Sequence, residues 1–152
     1  MGSECGLQLA NQERIEDFLP TIKPTNYKIT SDPTEEYNCI AWAAGDNTRW
    51  WSYQPGYMWP PEVPRGPLVE SMVAVFANLG YEVCQDASFE VGYDKVAIYE
   101  KNGLWKHAAR QLPNSLWTSK LGGFYDIEHA TLDDLCGDYY GSVYCIMKKK
   151  RI

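Results

Sequence analysis

The dipeptide Asn102-Gly103 constrains the fold of this chain more than any other feature. Asn-Gly is typical of a type I′ turn, which joins two antiparallel strands through two residues. The flanking segments, 95–101 and 104–112, read KVAIYEK and LWKHAARQL and are rich in β-branched and aromatic residues. Together they predict a hairpin in which Lys101 lies opposite Leu104.

The register of this hairpin predicts which side chains lie beside His107. Counting back from the turn places Ile98 opposite His107 and Val96 opposite Ala109. Because alternate side chains point to one face of a strand, Gln111 shares that face. We expect the predicted helices to cover it, since an apolar sheet face must pack against another element.

A short Pro-Asn-Ser turn predicts a further strand beyond this hairpin. If the turn pairs Leu112 with Leu116, Ser119 falls opposite Ala109. Ser119 then lies diagonal to His107 and on the same face of the sheet.

Helical patterns precede the strands. Residues 11–19, 39–45 and 67–79 carry the helix signals, with Asn38 as an N-cap and Gly80 as a stop. The strand candidates are 81–85, 95–101, 104–112, 116–121 and 140–148. Helices followed by strands predict an α+β fold with an antiparallel sheet of about four to five strands.

Length, charge and cysteine content limit the classes of protein. The 152 residues predict one domain, residues 1–152. The formal net charge is -6 and the single basic run is Lys148–Arg151, which argues against nucleic acid or an anionic membrane as a partner. Neither a leader peptide nor an apolar run of membrane-spanning length is evident. Five cysteines, an odd number, favour reduced thiols, so we expect a cytoplasmic protein.

Cys39 and His107 together predict thiol chemistry. A cysteine at the start of a helix can have a lowered pKa, and a histidine beside it can remove the proton. The chain has two histidines, His107 and His129, and the strand pattern favours the first as the base. The close Cys or His spacing of a metal site does not occur, so we expect no metal and no cofactor.

An oxyanion site and a group that orients the imidazole would complete the catalytic machinery. The Cys39 amide and Asn38 are the candidate oxyanion donors. The candidate orienting residues are Ser119 from the register, Gln111 from the shared face, and Asp126, which we favour for its charge.

The stretch NYKITSDPTEEYNCIAW, residues 26–42, resembles the segment that leads into the nucleophile helix of NlpC-type cell-wall peptidases, in the papain-like superfamily. Tyr27 matches the position at which that family places a tyrosine beside the site. The order YNCIAWAAGD, KVAIYEKNG, HAARQ, WTSKLG and DIEH also resembles an uncharacterised group of small bacterial proteins, over roughly the whole domain. The resemblance implies a papain-like core and a cysteine hydrolase (peptidase or amidase) that cleaves an amide bond in a peptide or similar substrate through Cys39 and His107. A deamidase or an acyltransferase would use the same residues.

The resemblance leaves a second assignment of the base open. NlpC-type enzymes carry the base at the head of the strand that KVAIYEKNG resembles, which would make Lys95 the base and His107 the third residue. A protonated lysine is a poor base at neutral pH, so we favour His107.

Aromatic residues between the second and third predicted helices support a different hypothesis. The long loop 46–66 carries Trp50, Trp51, Tyr53, Tyr57 and Trp59. Trp50 and Trp51, together with Tyr27 and Gln111, are our candidate substrate-binding residues; in the alternative, the aromatics form the ligand site of a binding module that has no catalytic activity. The structural interpretation is that they cover the third predicted helix.

Overall fold

The computed structural model of the protein describes residues 15–151. The strands within this part are β1 (Tyr27–Ile29), β2 (Glu82–Cys84), β3 (Tyr93–Lys101), β4 (Leu104–Gln111), β5 (Trp117–Lys120), β6 (Asp126–His129) and β7 (Ser142–Lys150). They form one seven-stranded sheet in the order β1-β6-β5-β4-β3-β7-β2. Every neighbouring pair is antiparallel.

Two α-helices pack on one face of this sheet. Helix α1 is Cys39–Ala43 and helix α2 is Val69–Asn78. Residues 15–18 are also helical, and short 3-10 helices occur at Pro24–Asn26 and Asp133–Leu135. Helix α2 buries residues at the spacing of one helical face, namely Val69, Met72, Val75 and Phe76.

Helix α1 is only five residues long, so contacts with the sheet, and not its own propensity, must stabilise it. The indole of Trp42 donates to the hydroxyl of Thr118 on β5 over 3.0 Å. The guanidinium of Arg110 on β4 donates to the Trp42 carbonyl over 3.2 Å and lies over the Trp42 ring. These contacts hold the helix across β4 and β5.

The sheet has a core on each face. Val96 and Ile98 of β3 pack with α1 and α2, whereas Ala97 and Tyr99 belong to a second buried cluster on the other face. Adjacent residues divide in this way because side chains alternate along a strand. The second cluster includes residues of the helical segment 15–18 and of the loops around the two 3-10 helices.

The α+β class and the antiparallel sheet are confirmed, but the sheet has more strands than predicted. The two additional strands are β1 and β6, which pair with each other. They have only three and four residues, which is too short a run for alternation to identify a strand from the sequence. The helix predicted at 11–19 is helical at 15–18, and its first four residues lie outside the described part of the chain.

The β3–β4 hairpin contains a β-bulge that the sequence does not signal. Its first pair after the turn is the predicted one, but the register then shifts by one residue. Tyr99, and not Ile98, therefore lies opposite His107, and Lys106 is the extra residue on β4.

The bulge reverses the predicted facing of the hairpin. His107 lies on the face of Tyr99 and Ala109, away from the two helices, and Ala108 faces α1 instead. Our expectation that the helices cover the His107 face is therefore wrong. A shift of one residue moves every later side chain to the opposite face.

Candidate active site

Cys39 begins helix α1, as predicted, and Asn38 caps it. The side-chain oxygen of Asn38 accepts a hydrogen bond from the Ala41 amide over 3.3 Å. The same side chain also holds the backbone of Trp51, accepting from its N–H over 3.1 Å and donating to its carbonyl over 2.6 Å. Asn38 thereby fixes the Trp-rich loop to the start of the helix. Its role as an oxyanion donor stays a prediction, with one of its two amide hydrogens already engaged.

The Cys39 side chain lines a cavity of about 550 Å³. The cavity lies beyond the end of the β4–β5 ladder, whose last pair toward Cys39 is Arg110 with Thr118. Its walls are largely apolar and aromatic, and the other lining residues are Ile15, Asp17, Phe18, Lys106, Leu121, Gly122, Gly123, Phe124, Tyr125, Tyr139 and Tyr140. The thiol is thus a polar group in a mainly apolar site.

Burial raises the pKa of the Cys39 thiol to about 11. Backbone hydrogen bonds from Ala108, Ile40 and Cys39 itself lower this pKa in part, and so does the positive charge of Lys120. The first two helical N–H groups have no partner within the helix, and β4 is unpaired on this side at Ala108, so these donors are free to face the sulfur. The resting side chain is therefore a protonated thiol at neutral pH, which contradicts the lowered pKa that the sequence predicts.

His107 is completely buried on the opposite face of the sheet from α1. Its imidazole stacks on the ring of Tyr140, with 4.2 Å between the centroids, and meets the edge of Tyr99 at 5.4 Å. Neither ring nitrogen has a hydrogen-bond partner among residues 15–151. Burial and the nearby His129 hold the pKa of His107 well below its usual range, so the imidazole is neutral.

Tyr140 connects the histidine to the cavity. It lines the cavity beside Cys39 and also stacks on His107. Within residues 15–151, no hydrogen bond joins the Cys39 sulfur to His107, and His107 does not line the cavity. Tyr140 is therefore a shared neighbour of the predicted pair, but Cys39 and His107 are not hydrogen-bonded to each other in the described structure.

Ser119 orients the other histidine. The predicted β4–β5 register is confirmed, since Gln111 pairs with Trp117, and Ser119 lies on the His107 face. Its hydroxyl, however, lies 2.8 Å from Nε2 of His129, whose Nδ1 lies 2.9 Å from the Thr131 carbonyl. A carbonyl only accepts, so Nδ1 carries the proton and Ser119 donates to Nε2. Our expectation that Ser119 orients His107 is therefore wrong, because Ser119 is hydrogen-bonded to His129.

Asp126 lies on the helix face of the sheet, and His107 lies on the other. Asp126 pairs with Lys120 across β5 and β6, and its carboxylate accepts from the Tyr37 hydroxyl over 2.6 Å. Its second oxygen is buried and has no hydrogen-bond partner in the described part of the chain. Our preferred orienting residue is therefore excluded by strand alternation, which separates neighbours such as Asp126 and Ile127 onto opposite faces.

Lys120 is a site residue that our sequence analysis missed. Its side chain is fully buried, and its ammonium donates to the carbonyls of Thr34, Gly122 and Phe124 over 2.7–2.8 Å. A lysine in a short strand normally signals an exposed position, so the sequence carries no mark of this burial.

Lys95, the alternative base, is hydrogen-bonded to residues outside the Cys39 cavity. Its ammonium donates to the carbonyls of Asp86 and Ser88 over 2.7 and 2.8 Å and lies 3.8 Å from Glu90. It is buried, and it does not line the Cys39 cavity.

Three of the predicted substrate-binding residues have structural partners. Trp51 is buried in the helix-side core, and its indole donates to Asp46 over 3.0 Å. Tyr27 donates from its hydroxyl to Glu16 over 3.1 Å, and Gln111 donates to the Ala87 carbonyl over 2.8 Å. None of the three lines the Cys39 cavity.

Trp50, the fourth predicted substrate-binding residue, lies beside the Cys39 cavity. It lines a second cavity of about 400 Å³ that shares Gly123 and Phe124 with the Cys39 cavity. The neighbouring Trp59 is buried and donates to the Val63 carbonyl, so much of the aromatic loop is core. The structural interpretation of the loop is correct for Trp51 and Trp59.

The described part of the chain contains no cluster of three or more potential metal-binding side chains. The four cysteines within it, Cys39, Cys84, Cys136 and Cys145, are free thiols, and Cys5 lies outside it. Over the same residues, no helix is long and apolar enough to cross a membrane.

Comparison with known proteins identifies a family. Residues 28–148 match the family described as Domain of unknown function (DUF7689). The chain belongs to this family. The matched region contains Cys39, the complete sheet apart from parts of β1 and β7, and all the cavity residues other than those of the helical segment 15–18. No curated protein and no solved structure matches the chain.

Proposed function

We propose that the protein is a cysteine-dependent hydrolase that cleaves an amide bond, with Cys39 as nucleophile and a papain-like arrangement of nucleophile helix and sheet. The observation that carries this proposal is the surroundings of Cys39. The thiol lines a ligand-sized cavity, and backbone donors of Cys39, Ile40 and Ala108 face the sulfur. The same donors are suited to stabilise the oxyanion of a tetrahedral intermediate.

His107 supplies the base in this mechanism. It is neutral, which is the form that accepts a proton, and both ring nitrogens lack a partner. Tyr140 lies stacked against it, so the ring of Tyr140 must turn aside for the imidazole to approach the thiol. Tyr140 lines the cavity, so a substrate bound there would contact its ring, and its binding would drive this movement.

The chemical steps follow from these roles. His107 removes the thiol proton as the sulfur attacks the carbonyl carbon, and the carbonyl oxygen becomes an oxyanion. The C–N bond then breaks and the leaving amine takes the proton from His107. Water, deprotonated by the same imidazole, attacks the thioester, which releases the carboxylic acid and regenerates the thiol.

We propose a cytoplasmic location for this enzyme. The reaction requires a reduced Cys39, and thiols are kept reduced in the cytosol. The net charge of -6 is unfavourable for nucleic acid, so a peptide or another amide is the proposed substrate.

Acylation of the protein by an activated ester tests the proposal. The p-nitrophenyl ester of an N-acetylated aromatic amino acid suits the aromatic walls of the cavity. We expect mass spectrometry to locate the acyl group on Cys39, followed by its release as the free acid. Cys39→Ala should remove both, and Cys145→Ala, which changes another thiol, should leave both intact.

The base is tested by His107→Phe, which retains an aromatic ring against Tyr140. Acylation should slow by about 100-fold or more, the usual contribution of a general base. Acylation of wild-type protein at residues other than Cys39, or at the same rate in Cys39→Ala, would overturn the proposed function. So would the absence of any acylation in wild-type protein.

A further inference from the structure

The ammonium of Lys120 is a buried positive charge behind the Cys39 cavity. Its three hydrogens are matched by three carbonyl oxygens, from Thr34, Gly122 and Phe124, each within 2.8 Å. Three donors meeting three acceptors satisfy an ammonium completely. Such complete pairing is what allows a charged group to remain charged out of water.

Aromatic and acidic neighbours complete this cluster. The ammonium lies 5.0 Å from the centre of the Tyr37 ring, and the Tyr37 hydroxyl donates to Asp126. Burial lowers the pKa of Lys120. The negative charge of Asp126 acts in the opposite direction, because it favours the ammonium form of Lys120. Glu35 acts in the same direction.

The cluster is joined to the cavity in two ways. Gly122 and Phe124, whose carbonyls hold the ammonium, belong to the loop 121–125 that lines the cavity. Burial raises the pKa of the Cys39 thiol, and the positive charge of Lys120 is one of the influences that lower this pKa.

Other charges near the thiol are less able to act on it. Asp17 and Lys106 line the cavity but are exposed, so water screens them. His107 is neutral, and the phenol of Tyr140 is held in its neutral form because burial raises its pKa. Lys120 is therefore the buried cation of this site among the described residues.

We propose that Lys120 is a positioning residue of the site, whose charge favours the Cys39 thiolate and whose three hydrogen bonds fix the cavity loop 121–125. This inference deepens the proposed function and rests on it for the catalytic meaning of the thiolate. The electrostatic effect itself does not depend on any substrate.

The rate at which iodoacetamide alkylates Cys39 measures the thiolate directly, since the thiol form does not react. Peptide mapping by mass spectrometry separates Cys39 from the other cysteines, and rates are taken from pH 7 to pH 10. Lys120→Met keeps the length of the side chain and removes its charge. We expect it to lower the rate several-fold at each pH, because loss of a nearby positive charge raises the pKa of the Cys39 thiol.

Two variants control for packing. Lys120→Arg keeps the positive charge and N–H donors for the loop carbonyls, and Tyr37→Phe removes a hydrogen bond of the same cluster without changing its charge. Both should alkylate within about twofold of the wild-type rate, because the charge near the sulfur is retained. Equal slowing of all three variants, or a wild-type rate in Lys120→Met, would overturn the proposal.

Asp126→Asn provides the test if Lys120→Met does not fold. It removes the negative charge that partly cancels Lys120, so Cys39 should alkylate several-fold faster, with Tyr37→Phe as the control for the lost hydrogen bond. An unchanged or slower rate would overturn the proposal. Alkylation involves no acyl transfer, so the two proposals can fail separately. If the variants change the alkylation rate as expected but the ester does not acylate Cys39, only the proposed hydrolase activity is refuted. If the ester acylates Cys39 but the variants do not change the alkylation rate, only the role of Lys120 is refuted.

Discussion

The ring of Tyr140 stacks on the imidazole of His107, with 4.2 Å between the centroids and 24° between the planes. Tyr140 thereby contacts a histidine that has no hydrogen-bond partner within residues 15–151, and it also lines the cavity that contains Cys39. The resting protein thus holds a protonated thiol and a neutral imidazole, and Tyr140 both contacts that imidazole and lines the cavity of the thiol. Movement of that ring is the step on which the proposed chemistry depends.

Tyr140→Ala should expose His107. Loss of a buried aromatic side chain costs about 3 kcal/mol of folding stability, which a domain of ordinary stability tolerates. In the folded variant, diethyl pyrocarbonate should modify His107 at least tenfold faster than in wild-type protein, because a reagent that needs an accessible nitrogen then reaches it. His129, which keeps both hydrogen bonds, serves as the internal reference.

Tyr139→Ala is the matched control for this variant, since Tyr139 also lines the cavity but is 60% exposed. It should leave the modification of His107 slow. A folded Tyr140→Ala protein whose His107 remains as protected as in wild type would contradict the covering role of Tyr140.

The buried histidines predict a loss of stability in mild acid. Burial lowers the pKa of His129 to about 4, whereas an unfolded chain has a histidine pKa of about 6.5. Between these two values the unfolded state binds a proton that the native state does not, so the free energy of unfolding rises with pH over this interval. His129 should contribute about 3 kcal/mol across it, and His107, whose pKa is also lowered, adds in the same direction.

Urea unfolding at pH 7.5, 5.5 and 4.5 measures this dependence. The free energy of unfolding should be nearly constant above pH 7 and should fall steadily below about pH 6.5. His129→Gln removes one of the two titrating groups and should show a shallower slope. A wild-type stability that does not change between pH 7.5 and 4.5 would mean that the histidines are not neutral and buried as described.

The sequence predicts the parts of this site that depend on local signals. Asn38 caps the helix at Cys39 because its side-chain oxygen can accept a hydrogen bond from a free N–H of the first turn. The Asn102-Gly103 turn forms because both residues tolerate the positive φ that it requires. The bulge at Lys106 has no comparable signal, because a lysine fits an exposed strand position equally well with or without the extra residue. The facing of His107 depends on that one residue.

The remaining errors concern long-range pairing. Strand β6 places Asp126 beside Lys120 and places His129 beside Ser119, and neither contact has a counterpart in local sequence. Lys120 is buried only because carbonyls from two separate loops converge on it. Such a site depends on tertiary structure, which overrides what the residue types indicate.

Asn38→Ala should be strongly destabilising. It removes the helix cap, worth about 1 kcal/mol, and leaves the N–H and carbonyl of Trp51 without their partner. Each buried unpaired group adds about 1–3 kcal/mol, so we expect a total loss of about 3 kcal/mol or more. Asn38→Ser retains a capping hydroxyl and should recover about 1 kcal/mol of this loss.

Urea unfolding gives both energies, and near-ultraviolet circular dichroism reports the packing of Trp51. Equal stability of the alanine and serine variants would contradict the cap. A cost below about 1 kcal/mol for Asn38→Ala would contradict the role of Asn38 in holding the loop, because that value is accounted for by the cap alone.

Gly141 should tolerate substitution less well than Gly92, another turn glycine with a positive φ, because Gly141 holds the segment that carries Tyr140. It has a φ of +77°, and its backbone forms two hydrogen bonds with Gly137. A β-carbon there would overlap the carbonyl of Glu100 on β3. Gly92 is the matched control, since its φ of +87° imposes the same strain but nothing lies near the position of a β-carbon.

Both alanine variants should lose about 1 kcal/mol for the positive φ, and Gly141→Ala should lose a further 1–3 kcal/mol, roughly the cost of displacing packed backbone. The displaced segment carries Tyr140 away from His107, so this variant should also show faster modification of His107 by diethyl pyrocarbonate, whereas Gly92→Ala should not. Urea unfolding and the labelling rate are read on the same two proteins. Equal stability of the two variants would contradict the close approach at Gly141, and a large extra destabilisation without faster labelling would mean that the position of Tyr140 is fixed by its ring contacts and not by the turn.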